Sequence, residues 1–307
     1  MEESRSANAV PQRRKFILDL AKISGITLLL NTPFLGRASN ILTLEEEVTV
    51  GEIIDLFISK VGAGAFPKTV DTLKSGSRGM KVTGIVTTMF ATIDVIRKAI
   101  ALNANFIIAH EPTFYNHLDE TAWLANDDVY QFKAELLKKH MITVWRNHDY
   151  IHTLKPDGVG AGLLKQLNWA SYFDQKTGTL NIPAIPLSGL IEFLKTKLNI
   201  SKVRYIGDLK QDCKKVLFLP GAAGGTTQIS MLSKLKPDVL ICGEIQEWET
   251  AEYIRDARAK GDQVSLVVLG HVASEEAGSE FMAGWLRTNF PDLKTTHVPS
   301  TNSLSFY

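Results

Sequence analysis

Near the C-terminal end of the chain, the run Leu269-Gly270-His271-Val272-Ala273-Ser274-Glu275 carries an imidazole and a carboxylate four residues apart. It follows an apolar stretch, 264–269, that reads as a buried strand broken by Gly270, with a helix beginning around Ser274. Once the chain is helical, residues i and i+4 project from one face. His271 and Glu275 then suit a divalent ion better than a core. A matching apolar run ends in His110-Glu111-Pro112. A third cluster of metal-capable side chains, Arg146-Asn147-His148-Asp149-Tyr150-Ile151-His152, closes the run 142–145. A dinuclear site needs several oxygen and nitrogen donors, with at least one carboxylate able to bridge. His110, Glu111, His271 and Glu275 supply part of that set, and Asp149 and His152 are the candidates to complete it. Mixed N/O donors without thiolate favour Zn, Fe(II) or Mn(II). Two such ions ~3.5–4 Å apart can clamp a hydrolysable group. Each ligating imidazole needs its other ring nitrogen held by an acceptor. Glu244, following the run 239–242, is the acid best placed for that. Glu244 and Glu275 are also the candidates for proton handling during catalysis.

The elements that must position these residues alternate in type. Ile53, Ile54, Leu56, Phe57 and Val61 recur at helical spacing. Strands are predicted at 82–87, 106–109 and 142–145, with helices at 91–102, 130–140 and 161–167. A more irregular stretch follows at 172–209, with Pro183 and Pro186, a helix at 188–198 and a strand near 203–206. The second half repeats the outline of the first. Strands at 215–219, 239–242 and 264–269 interleave with helices at 226–235, 247–260 and 276–289, before a last strand at 295–299. Parallel β-α-β crossovers are right-handed, and α/β sheets hold ligands at the carboxyl ends of their strands. The expectation is therefore an α/β protein of two similar domains, 39–180 and 181–307, with a metal site in the cleft between them.

Other features narrow the class. With 307 residues and 45% hydrophobic composition, the chain can bury a large core. A net charge of +1 without basic runs past the N-terminus gives no electrostatic basis for binding nucleic acid. Cys213 and Cys242 alone exclude a disulfide framework or a Cys-rich zinc module, although Cys242 ends a strand beside the expected site. The turn Gly221-Ala222-Ala223-Gly224-Gly225 lacks the Lys-Ser/Thr pair of a P-loop and reads as a tight strand-to-helix connection.

At the N-terminus, Arg13-Arg14 precedes an apolar segment at 23–35 and the small residues of Gly36-Arg37-Ala38-Ser39. A charged segment, a short apolar segment and small residues in that order form an export signal, here of twin-arginine type over residues 1–38. The expected location is periplasmic or extracellular, with no membrane span in the mature form; without a working signal the protein stays cytoplasmic.

The clusters together resemble the Nif-three-like family, the GTP cyclohydrolase I type 2 homologues or dinuclear-metal hexameric proteins. That family carries His-His-Pro after a strand, His-Thr-Asn-Leu-Asp after a later one, Thr-Gly-Asp/Glu, and a C-terminal Gly-His-x-x-x-Glu. The corresponding residues are His110-Glu111-Pro112, His148-Asp149-Tyr150-Ile151-His152, Cys242-Gly243-Glu244 and Gly270-His271 with Glu275. The resemblance covers about residues 50–307. It implies metal ligands at His110, Glu111 (His in the family), His152 (Asp in the family), His271 and Glu275. The exchange is reciprocal and preserves the number of imidazoles. The resemblance also implies two divalent ions (Zn, Fe or Mn), a homohexamer, and a metal-dependent hydrolase acting on a phosphoester or a cyclic amide or amidine. The contrasting expectation is a non-catalytic metal-binding assembly or scaffold. The address is testable directly: a Lys-Lys replacement of Arg13-Arg14 is expected to hold the protein in the cytoplasm. Fractionation showing normal export of that variant would refute the twin-arginine reading.

Overall fold

The computed structural model describes residues 47–62 and 64–307; the export signal expected at 1–38 lies outside them. Helix α1 (Val50–Val61) opens on a reciprocal cap, in which Thr49 accepts from the Glu52 backbone and the Glu52 side chain accepts in return. It buries Ile53, Ile54 and Phe57 and stops at Gly62, whose φ of 76° is left-handed.

The first sheet contains β1 (Leu73–Ser75), β2 (Ile85–Thr88), β3 (Phe106–Ala109), β4 (Thr143–Arg146) and β11 (Thr295–His297), in the order β1-β4-β3-β2-β11. Its centre is parallel, and β2, β3 and β4 are buried at every position. This explains the continuous apolar runs where a half-exposed strand would alternate. Helices α2 (Ile93–Ala101) and α3 (Asp128–Lys139) supply the crossovers. After β4 come a short helix, α4 (Asp149–Thr153), and then α5 (Gly158–Leu167).

The second sheet orders β5 (Phe173–Asp174), β6 (Thr179–Pro186), β8 (Asp212–Leu219), β9 (Val239–Cys242), β10 (Ser265–Val268) and β7 (Arg204–Ile206). The domain boundary expected between residues 180 and 181 falls inside β6. That strand was read as irregular because of Pro183 and Pro186. It pairs antiparallel with β8, with its register shifting between Asn181 and Ile185. The irregularity admits Pro183 into a strand that otherwise needs its N–H groups, and Pro186 stands at the strand's last position. Helices α6 (Leu187–Leu198), α7 (Gly225–Leu235) and α8 (Glu252–Ala259) accompany this sheet. Among the described residues no helix is long and apolar enough to cross a membrane.

The last helix, α9 (His271–Asn289), ties the arrangement together. It begins at His271 itself, not near Ser274. Met282 and Leu286 enter the core around Phe57, Trp145 and Val159, while Ala277 packs on the core around Leu163 and Leu167. The chain then returns to the first sheet, where β11 pairs parallel with β2. Helices α5 and α9 approach closely because small residues meet at their crossing. A Cβ on Gly162 would run into the carbonyl of Ala277, and one on Gly278 would meet Val159. Gly162→Ala is expected to cost about 1–3 kcal/mol through overpacking. A urea unfolding midpoint equal to wild type would show that the crossing yields freely.

Candidate metal centre

Three strands of the two sheets end at one place. β3 runs out at His110 and Glu111, β4 leads through Asn147 into His148 and α4, and β10 leads through Gly270 into His271 and α9. Backbone contacts hold the last junction: Gly270 N donates to Gly243 O at 3.0 Å, and Gly221 N donates to Ser274 Oγ at 2.9 Å. Gly221 has φ 63°, and a Cβ there would strike the carboxylate of Glu275. The glycine-rich turn therefore makes room for an acid. A carboxylate also stands at its far end, since a Cβ on Gly225 would strike Glu249, and this leaves little place for a phosphate.

Each converging imidazole has its Nδ1 fixed. His110 Nδ1 donates to the Asn147 carbonyl at 3.2 Å, and His148 Nδ1 donates to Asp149 Oδ1 at 3.0 Å. His152 Nδ1 donates to Asp157 Oδ2 at 2.8 Å, and His271 Nδ1 donates to Glu244 Oε1 at 2.9 Å. Asp157 does double duty, because its Oδ1 accepts from Val159 and Gly160 and caps α5. Such partners set the tautomer and aim Nε2.

Two carboxylates occupy the space ahead. Glu275 Oε2 lies 3.0 Å from His271 Nε2 and 3.5 Å from His110 Nε2. Glu111 Oε1 lies 3.3 Å from His271 Nε2, 3.7 Å from His148 Nε2 and 4.0 Å from His110 Nε2. Donor atoms of His110, His148 and His152 all fall within 4.8 Å of one another, as do those of His110, Glu111 and Glu275. His110 Nε2 is buried without a hydrogen-bond partner. Orphaned buried nitrogens are rare, and this one, among converging N and O donors, fits a cation.

The electrostatics agree with that fit. Burial alone would lower the pKa of His271, but Glu111, Glu244 and Glu275 push it up to about 12. Burial would raise Glu275, yet His110 and His271 hold its carboxyl far below the ordinary range. Glu111 shows the same contest: burial raises it, and His271, His110 and His148 bring it below the usual value. Burial, with His110 close by, lowers His148 to about 4 despite its bond to Asp149.

The structure brings His110, Glu111, His152, His271 and Glu275 near one another. Asp149 is engaged elsewhere, its Oδ2 accepting from Thr69 Oγ1 at 2.7 Å and from Val70 N at 3.2 Å while Oδ1 holds His148. The fourth imidazole is His148, which the sequence reading passed over. Its signal was the His148/His152 spacing of four at the mouth of a short helix. Glu244 stands behind His271 and is half-exposed. Cys242 is buried in the core beside Leu240, and burial pushes its thiol up to about 12; it takes no part.

Residues 70–303 match the Duf34/NIF3 (NGG1p interacting factor 3) family. The chain belongs to that family. A GTP cyclohydrolase 1 type 2 homolog of Pyrococcus horikoshii is 26% identical over 269 residues, covering 82% of this chain and 98% of its own. The homolog from Pyrococcus abyssi is 26% identical over 244 residues, covering 74% and 91%. Among solved structures, Staphylococcus aureus SA1388 superposes with a TM-score of 0.67 at 17% identity, over 84% of this chain and 99% of that one. A Bacillus cereus protein related to NIF3 gives 0.66 at 16%, over 85% and 99%. These likenesses establish the NIF3 fold.

A divalent ion bound at Nε2 of His271 would compete with a proton there, so binding would release protons. Because the pKa of His271 is raised above 6.5, its proton contributes stability fully below pH 6.5, and that contribution fades as pH climbs toward about 12. Apparent metal affinity is accordingly expected to rise with pH, by about tenfold per unit for one displaced proton. Titration calorimetry in buffers of different ionisation enthalpy checks this; affinity flat from pH 6 to 8 would contradict it.

Proposed function

We propose that this NIF3-family protein is a metal-dependent hydrolase holding two divalent ions, Zn, Fe or Mn, and acting on a phosphoester or a cyclic amide or amidine. The convergence of four Nδ1-anchored imidazoles on Glu111 and Glu275 carries the reading. His110, Glu111, His148, His152, His271 and Glu275 are the ligands in it. Divalent ions bound there would act as Lewis acids on the substrate and lower the pKa of water.

The residues themselves divide the remaining work. Asn147, Asp149, Asp157 and Glu244 hold the imidazoles in register. Glu244 reaches solvent with a side chain 55% exposed while bonded to His271, so it can pass protons between bulk water and the centre. Glu275, 4% exposed, stays in the dry interior. The Asn147 carbonyl fixes the ring of His110, which is buried. Residues 1–38 act as an export signal in the same proposal.

Assembly into a homo-oligomer, of hexamer size by family resemblance, is supported by one surface feature. Tyr115, Leu118, Trp123, Val129 and Phe132 are each about half exposed or more. Large apolar side chains grouped along one segment commonly mark an interface. The same patch favours the second reading, a metal-binding scaffold without turnover.

Elemental analysis of protein from minimal medium is expected to give about two ions per chain. Glu275→Gln should lose hydrolysis of a generic phosphodiester, by about 100-fold or more. Protein carrying both ions yet inert toward phosphoester and cyclic-amide panels would favour the scaffold; protein with no bound metal would sink both readings.

A further inference from the structure

Arg146 is the largest charged side chain in the interior, with no exposed surface. It ends β4 two residues before His148, yet neither the ligand set nor the fold class calls for a cation there. Its guanidinium forks in three directions. Nε donates to the His110 carbonyl at 3.2 Å, Nη1 donates to the His117 carbonyl, and Nη2 donates to Glu111 Oε2 at 3.2 Å. Behind it, Nη1 lies 3.6 Å from Asp119 Oδ2, and that oxygen meets Lys74 Nζ at 3.1 Å. Charges alternate along this line, Glu111, Arg146, Asp119, Lys74, and all four side chains are at least nine-tenths buried.

Glu111 stands where the family resemblance places a histidine. That exchange adds a negative charge and a second donor oxygen to a buried position. A free carboxylate there can rotate, chelate through both oxygens or stretch between ions, none of which an imidazole can do. Arg146 removes those options. With Oε2 held by Nη2, only Oε1 faces the Nε2 atoms of His271, His148 and His110. The bonds from Arg146 to the His110 and His117 carbonyls fix the guanidinium against the backbone, the first of them beside the adjacent ligand. A planar fork can make these bonds together, and an ammonium cannot.

We infer that Arg146 is a positioning residue that clamps Glu111 by one oxygen and makes it a single-oxygen donor, so that a glutamate works in an imidazole's place. The inference rests on the metal centre of the preceding section and adds a dependence of Glu111 on Arg146.

A double-mutant cycle tests it with Zn²⁺ alone as the probe. Apparent affinity is measured against a chelating dye, and ions per chain by elemental analysis, for wild type, Arg146→Lys, Glu111→Gln and the double variant. Arg146→Lys keeps the charge beside Asp119 and loses the fork. It is expected to weaken Zn²⁺ binding about 10–100-fold in wild type, as loss of an outer partner commonly does. In the Glu111→Gln background it should weaken binding less than about threefold, because no carboxylate remains to be clamped. Equal losses in both backgrounds would overturn the inference and leave Arg146 as a fold element. Wild type that binds no Zn²⁺ would overturn the metal centre itself, a separate result. Should circular dichroism show Arg146→Lys unfolded, the double variant decides: recovery of fold upholds the coupling to Glu111, and failure equal to the single variant overturns it.

Discussion

Everything at the centre depends on a restriction placed on imidazole. A free histidine ring can present either nitrogen and can turn about its side-chain torsions. Here the Nδ1 of His110, His148, His152 and His271 is taken by an acceptor from a different element in each case: a backbone carbonyl, the Asp149 carboxylate, the Asp157 carboxylate that caps a helix, and Glu244. The rings are fixed because the backbone that holds their partners is fixed. Burial then strengthens the interaction with the two carboxylates, since charges inside protein are screened less than in water. Glu111, Glu244 and Glu275 raise the pKa of His271, and the imidazoles in turn lower those of Glu111 and Glu275.

Much of this could be read from the chain. Parallel strands buried on both faces show as runs such as Phe106–Ala109 and Val239–Cys242, and a donor placed just after such a run falls at the edge where α/β sheets carry ligands. His110, Glu111 and His271 were visible for that reason. Less visible was what depends on contacts distant in sequence. His148 was passed over beside Asp149 because both are good donors, and only Thr69 and Val70, from a loop some eighty residues earlier, show which one turns away. Strand β6 was hidden by its prolines. The start of α9 was placed late because Gly270 reads as a break, although its carbonyl already accepts from Ser274 N.

The reciprocal exchange that the family resemblance implies at Glu111 and His152 would keep the donor inventory while moving charge from one part of the centre to another. His110, His148 and His152 now form an all-imidazole group, and His110 shares the second group with both glutamates. His152 is held by Asp157, and Glu111 is held by Arg146. Each replaced position thus has a counterpart of opposite tendency behind it.

The path of the chain sets a timetable. His110, Glu111, His148 and His152 leave the ribosome together, whereas His271 and Glu275 follow on α9, and the strand that completes the first sheet, Thr295–His297, comes later still. At ordinary rates of synthesis the interval is on the order of ten seconds. During it, a nascent chain already carries three imidazoles and one acid without the helix that fills the core around Phe57 and Trp145. Any ion captured then would meet an incomplete set of donors, lacking His271 and Glu275. The full donor set therefore exists only once α9 has docked, at the end of translation and not at its start.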